Sequence, residues 1–350
     1  IGLRRAPPLR HAASMTSAFV PGLDLARSFY RDVVRPILAT ELPHSAALLG
    51  WGSEVLGFDT ARSTDHNWGP RLQIFVDENQ DELDTALTRR LPPTYLGHPT
   101  TFARTDQPDL PARHHVEVTE FGAWVSARLG FDPRGGITRT DWLSTPTQRL
   151  AEFTSGAVFH DGLNVLEPAR TALAWYPDDV WRYVLACQWH RIAQEEAFPG
   201  RCAEAGDDLG SAVVTARLVR DLMRLCLLMH RRYPPYSKWL GSAFARLPGQ
   251  GGLPTHLRQA LSAVDYPARE RHLVAAYENV AAQHNQLGLT EPLDTTTRTY
   301  FGRPFQVVEA DRFTRALLPH DDQQLVGAVD QFIDGTDALG DHDLLRRAVR

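Results

Sequence analysis

Lysine is almost missing from this chain. Of its 37 basic side chains only Lys238 is a lysine and the rest are arginine. A site that wants a compact ammonium rather than a planar guanidinium therefore has one candidate. Cysteine is scarce too. Cys187, Cys202 and Cys226 are odd in number, widely spaced and without a CxxC pair, which argues against a disulfide framework and a cysteine-built zinc site. No apolar run approaches the roughly 18 residues that suggest a membrane span. A basic surplus is also absent: 42 acidic side chains leave a formal charge of −5. That counts against nucleic acid as a partner, which wants a strongly basic face. What remains reads as a globular protein of a reducing, cytoplasmic compartment, 43% apolar and 23% charged. Its 350 residues suffice for about two domains.

Residues 1–14 (IGLRRAPPLRHAAS) are basic and carry prolines, and Met15 follows. They read as a leader or upstream translated scar, outside the fold. Leu25, Phe29, Val33 and Ile37 recur every four residues, which predicts a helix. The run AALLGWGS (46–53) is a short strand ending in a Gly-Ser turn, RLQIFV (71–76) alternates as a strand, and a helix follows at about 78–90. Val116 and Val118 mark a further strand. After about residue 140 the texture becomes helical, with long patterns at 178–198, 212–233, 253–264 and 268–286. The fold class is α+β: an α/β unit at 15–145 and a mostly helical one at 146–350.

The densest feature is WGSEVLGFDTARSTDHNWGPRLQIF (51–75). Gly52-Ser53 ends one predicted strand, eleven residues intervene, and Asp65-His66-Asn67 leads into the next. A small-residue turn lets backbone N–H groups approach phosphate oxygens. Side chains at i and i+2 of an extended segment point the same way, so Asp65 and Asn67 can share a Mg²⁺ while His66 points away. Glu117, on the Val116–Val118 strand, is the candidate for a third ligand. Two ions held in this way stabilise an in-line displacement.

This arrangement resembles the DNA polymerase β-like nucleotidyltransferase superfamily, whose signature is Gly-Gly/Ser, a spacer, then Asp-x-Asp/Glu. The string GSEVLGFDT…STDHNWGPR, with DWLSTPTQRL, WYPDDVWRYVLACQW, QEEAFPGRC, GDDLGSAVV and PYSKWLGSAF further on, is more closely similar to an uncharacterised bacterial family of that superfamily, a domain of unknown function. The resemblance implies transfer of a nucleoside monophosphate from an NTP, with ATP as the expected donor, to a hydroxyl or amine of a small-molecule acceptor. Mg²⁺ would be the cofactor and pyrophosphate the product. Asn67 departs from the pattern: its amide can coordinate a cation but brings no charge. Natural divergence, an inactivating change, and a nucleotide-binding or regulatory protein that has lost catalysis are the alternatives. Asp59, in a Gly-Phe-Asp-Thr turn, is either a compensating carboxylate or a solvated turn residue.

The nucleotide-binding candidates are Gly52, Ser53, Arg62, Ser63, Arg71 and Lys238. Arg62 and Arg71 flank the acidic loop and could grip phosphate bidentately. The lone Lys238 is expected in the cleft beside Gly52 and Ser53, since related nucleotidyltransferases often place a lysine of the helical domain on the triphosphate. The catalytic candidates are Asp65, Asn67, Glu117 and Glu196. Glu196 continues the apolar face of Trp181, Leu185, Trp189 and Ile192, where burial would raise its pKa into the range of a general base. His114 and His115 are adjacent, a poor geometry for chelation, and read as surface or supporting groups. Arg217, Arg220 and Arg224 read as a solvated face beside an apolar stripe, and Asp207 and Asp208 as caps of the following helix.

Overall fold

A computed structural model describes residues 19–38, 42–65, 68–102, 111–319 and 325–349, together with the backbone but not the side chain of Asp65. The leader expected at 1–14 lies outside the described residues, as do His66 and Asn67. The architecture is α+β. Strands β1 (Ser45–Leu48), β2 (Arg71–Phe75), β3 (Thr101–Phe102), β4 (Arg113–Thr119) and β5 (Ala157–Asp161) form one sheet in the order β3-β4-β2-β1-β5. β1 runs antiparallel to β2 with Ala46 opposite Ile74, so the exit of β1 lies beside the entry of β2. β4 is parallel to β2 with Gln73 opposite Glu117, a pairing that needs a crossover. The helix Gln80–Arg90 supplies it.

Alternation sorts the side chains of the central strands onto two faces. Ala46, Leu72, Ile74 and Val116 pack with Phe29, Val34, Leu83 and Leu87, from the helix beginning at Gly22 and from Gln80–Arg90. Ala47, Leu49 and Phe75 face the opposite way and join a core that runs without a break through Phe121, Trp124, Phe153, Trp181 and Trp189. The 145/146 boundary is not a break in the sheet, because β5 pairs with β1 (Ser45 opposite Asp161). Asp161 accepts from Ser45 Oγ at 2.7 Å and from the N–H of Glu167 at 3.0 Å, tying the sheet edge to the next helix.

The helical part follows its periodicity. In α1 (Asp178–Glu195), Trp181, Leu185, Trp189 and Ile192 are all 3% exposed or less. α2 (Asp208–Met229) starts with the Asp207 carboxylate accepting from Gly210 N at 2.7 Å, the expected cap. Its arginines are not a free solvated face. Arg217 forks onto Glu195, and Arg224 is buried and donates to the Asp330 carbonyl. Burial holds the Arg224 guanidinium below the usual arginine range. His114 is likewise not a surface group: its side chain is 4% exposed, 3.4 Å from Asp84. Among the described residues no helix is long and apolar enough to cross a membrane.

Glu196 is buried, as its place on the apolar face predicts, but it meets backbone rather than a cleft. Its two oxygens accept from Val308 N at 2.9 Å and Ala310 N at 3.0 Å, clamping the chain after the hairpin Arg298–Tyr300/Arg303–Val307 onto the end of α1. Desolvation outweighs these hydrogen bonds and pushes the carboxyl up to about 7. A carboxyl whose folded pKa exceeds its unfolded value stabilises the fold below the unfolded value, and that contribution is lost as pH rises through the folded one. The window is therefore from about 4.5 to about 7. Its size is roughly 3 kcal/mol. Urea unfolding at pH 5 and pH 8 is expected to give a lower stability at pH 8, and Glu196→Gln is expected to flatten that dependence whatever it does to the absolute value.

Candidate active site

The exit of β1 is a tight turn held from beneath. Arg71, the first residue of β2, donates from Nε to Glu54 Oε1 at 2.6 Å and from Nη2 to the Trp51 carbonyl at 2.5 Å, with its guanidinium 4.3 Å from the Trp51 ring centroid. Both charged side chains are almost dry, 5% and 4% exposed. Gly52 sits over this pair at φ +135°, where a Cβ would fall 2.2 Å from Arg71 Nη2 and 2.7 Å from Glu54 Oε2. Only glycine fits. Two further ties fix the turn: Leu49 N donates to Gln73 Oε1 at 3.0 Å, and Gly50 N to the Glu152 carbonyl at 3.0 Å.

Above the turn lies a cavity of about 670 Å³. Gly52, Ser53, Arg62 and Ser63 line it from the N-terminal side, Arg149, Glu152, Tyr236 and Lys238 from the helical side, and Trp51, Trp68 and Trp239 add aromatic wall. The first turns of α3 (Thr147–Thr154) and α4 (Ser237–Ala245) both reach it, through Gln148 and Lys238. Lys238 and Arg62 are exposed, and among the described residues no carboxylate pairs with either. Glu54 is consumed by Arg71. Glu152 accepts from Gln148 Nε2 at 2.8 Å and lies 3.4 Å from Arg149. The described wall is thus cationic in balance, where positive charge and helix N-termini favour an anion.

The structure brings Gly52, Ser53, Arg62, Ser63 and Lys238 to this one cavity, although Ser53 and Lys238 are far apart in sequence. Arg71 is not on its wall. A buried guanidinium already engaged by a carboxylate and a carbonyl supports the turn instead of gripping a ligand. Glu196, held by backbone as described above, is not on the wall either. Glu117 projects from β4 on the face of Gln73 and accepts from Trp124 Nε1 at 3.1 Å and from Arg128 Nη2 at 3.2 Å, with its side chain 43% exposed. Asp59 is no free carboxylate: it accepts from Gly22 N at 2.7 Å and Trp68 Nε1 at 3.4 Å. Asp65 ends a short 3-10 turn, Ala61–Asp65; its side chain and Asn67 lie outside the described residues. Among the described residues no group of three His, Cys, Asp or Glu could hold a metal ion. With Glu117 turned onto Trp124 and Arg128, the described donors alone do not make a Mg²⁺ site.

Sequence reasoning missed Arg149 and Glu152. Their signal was present in TPTQRLAEF, where Glu152 follows Gln148 by four residues and Arg149 by three, so that both can meet it on the helix surface. It pointed to no chemistry until the fold laid that surface against the Gly-Ser turn.

The family described as "Domain of unknown function (DUF4037)" matches residues 142–240. That segment carries Gln148, Arg149, Glu152, Tyr236, Lys238 and Trp239 of the cavity wall. The match stops short of the Gly52–Arg71 string, on which the superfamily resemblance rests. No curated protein and no solved structure matches the chain.

Breaking a buried ion pair by removing one partner costs on the order of 3–5 kcal/mol, because the other charge is left uncompensated. Arg71→Ala is expected to lose stability of that order in urea unfolding. The double variant Arg71→Met/Glu54→Met, which leaves no orphan charge, is expected to lose less than the single one.

Proposed function

We propose that this chain is a nucleotidyltransferase-type protein that binds an NTP in the cavity above the Gly52-Ser53 turn. One observation carries the reading: four of the five phosphate-binding candidates of the N-terminal part, Gly52, Ser53, Arg62 and Ser63, line the same cavity as the chain's single lysine. Backbone donors of the turn and the Ser53 and Ser63 hydroxyls would meet phosphate oxygens at close range. Arg62 would add a bidentate fork and Lys238 a compact charge from the opposite wall. Trp51, 44% exposed, offers a face on which a base can stack. A volume of about 670 Å³ is in the range of small-molecule sites, which run to roughly 1,000 Å³.

The reaction class that goes with this reading is transfer of a nucleoside monophosphate to a small-molecule hydroxyl or amine. In this reading Asp65, Asn67 and Glu117 would hold Mg²⁺, which would supply charge neutralisation at the transferring phosphate. Release of Glu117 from Arg128 would be part of forming such a site. The Glu117–Arg128 pairing and the uncharged Asn67 together favour a second reading, a protein that binds nucleotide with turnover weak or absent. The two differ at residue 67.

Calorimetric titration with the four NTPs, with and without Mg²⁺, tests the binding. Lys238→Ala and Arg62→Ala are each expected to weaken the preferred NTP roughly tenfold or more, while Glu196→Gln leaves it unchanged. Absence of binding by every NTP would overturn the proposal. In a pyrophosphate-release assay across candidate acceptors, Asn67→Asp is expected to raise turnover on the order of 10²–10³-fold. Equal rates at low Mg²⁺ would remove residue 67 from the metal site.

A further inference from the structure

A second cavity, of about 700 Å³, lies behind the first and shares Leu56 with it. Phe58 and Trp239 form the partition. Their rings stack at 5.0 Å and 14°, Phe58 lining the second cavity and Trp239 the first. Arg246 secures it by lying 4.0 Å over the Phe58 ring and donating to the Gly57 carbonyl at 2.6 Å.

The lining of this second cavity is one-signed. Arg170, His230, Arg231, Arg232 and Arg246 contribute to it, and no Asp or Glu does. The chain as a whole carries more acidic side chains, 42, than basic ones, 37, so a lining without Asp or Glu is not a consequence of composition. Carbonyls hold His230 and Arg246, but among the described residues Arg231 alone of the five has a carboxylate within 4 Å. Arg231 lies 3.5 Å from Asp178, a residue not on the wall, with its guanidinium over the Trp181 ring. Arg170 donates from Nη2 to the Thr154 carbonyl at 2.9 Å, while its buried Nη1 has no hydrogen-bond partner. Arg232 is exposed, and among the described residues no carboxylate pairs with it. Like charges gathered around a hollow repel one another unless an anion answers them, and a guanidinium fork matches carboxylate and phosphate alike.

We infer that this second cavity is a binding site for a small anion carrying at least two negative groups, phosphate or carboxylate. The inference is independent of what the first cavity binds. Its size, in the range of small-molecule sites, and the acidity of the rest of the chain set a small molecule apart from a polyanionic polymer.

The test is calorimetric titration of the full chain at low ionic strength with inorganic pyrophosphate and, separately, with citrate. It uses the unaltered chain, Arg231→Gln/Arg232→Gln, the single Arg232→Gln and Lys238→Ala. The single variant touches none of the contacts that Arg231 makes, and melting temperatures check that each variant is folded. At least one anion is expected to bind saturably, to be weakened roughly tenfold or more by the double variant and partly by Arg232→Gln, and to keep that site in Lys238→Ala. Pyrophosphate alone responding assigns a phosphorylated ligand, and citrate alone a polycarboxylate. If neither anion binds saturably, or neither is weakened by the arginine variants, the inference fails. Loss on Lys238→Ala alone places the anion in the first cavity and leaves the reading of that cavity standing.

Discussion

The pairing of Arg71 with Glu54 sets the shape of everything above it. Two opposite charges nearly shut off from water hold each other strongly, provided that their remaining hydrogen-bonding groups also find partners. Here Arg71 has a second partner, the Trp51 carbonyl. The start of β2 is thereby fastened to the loop that leaves β1. A side chain at position 52 has no room, the turn closes over the guanidinium, and Ser53 is left on the cavity side. The antiparallel register of β1 and β2 makes this possible by bringing one strand's exit to the other's entry.

From that turn the structure reaches into the helical part by short, specific ties. The Gly50 N–H meets the carbonyl of Glu152, and Arg246 grips the carbonyls of Leu56 and Gly57. The segment 56–58 is therefore a wall with two sides, one aromatic ring of the Phe58–Trp239 stack on each. Both cavities depend on the same few residues for their shape.

Much of this organisation was legible in the sequence. A short apolar run at 46–53, alternation at 71–76 and the pair Val116 and Val118 marked the strands that the structure has at 45–48, 71–75 and 113–119, and the helical repeat of about 3.6 residues marked the long helices. The Gly-Ser turn was legible because small residues at a strand exit have few other uses, and Lys238 because its rarity singled it out. The rest was not, for one recurrent reason. Periodicity says which face of an element is buried but not what lies against it. Arg71 and Arg224 look like any surface arginine until Glu54 and the Asp330 carbonyl are found beside them. Glu196 was read as buried, and is, but the backbone it binds comes from more than a hundred residues downstream. The strand 157–161 hid in helical surroundings, since five residues on a sheet edge carry little pattern of their own.

The scarcity of lysine has a practical side. Apart from the chain's own α-amine, Lys238 presents the one primary amine on this surface, and it stands on the wall of the first cavity. An amine-acylating reagent therefore reports a single side-chain address, and a protease that cuts after lysine has one bond to choose, Lys238–Trp239. Occupancy of the cavity becomes readable as protection of that one amine or that one bond, in the unaltered protein and against a background of arginines that neither reagent touches.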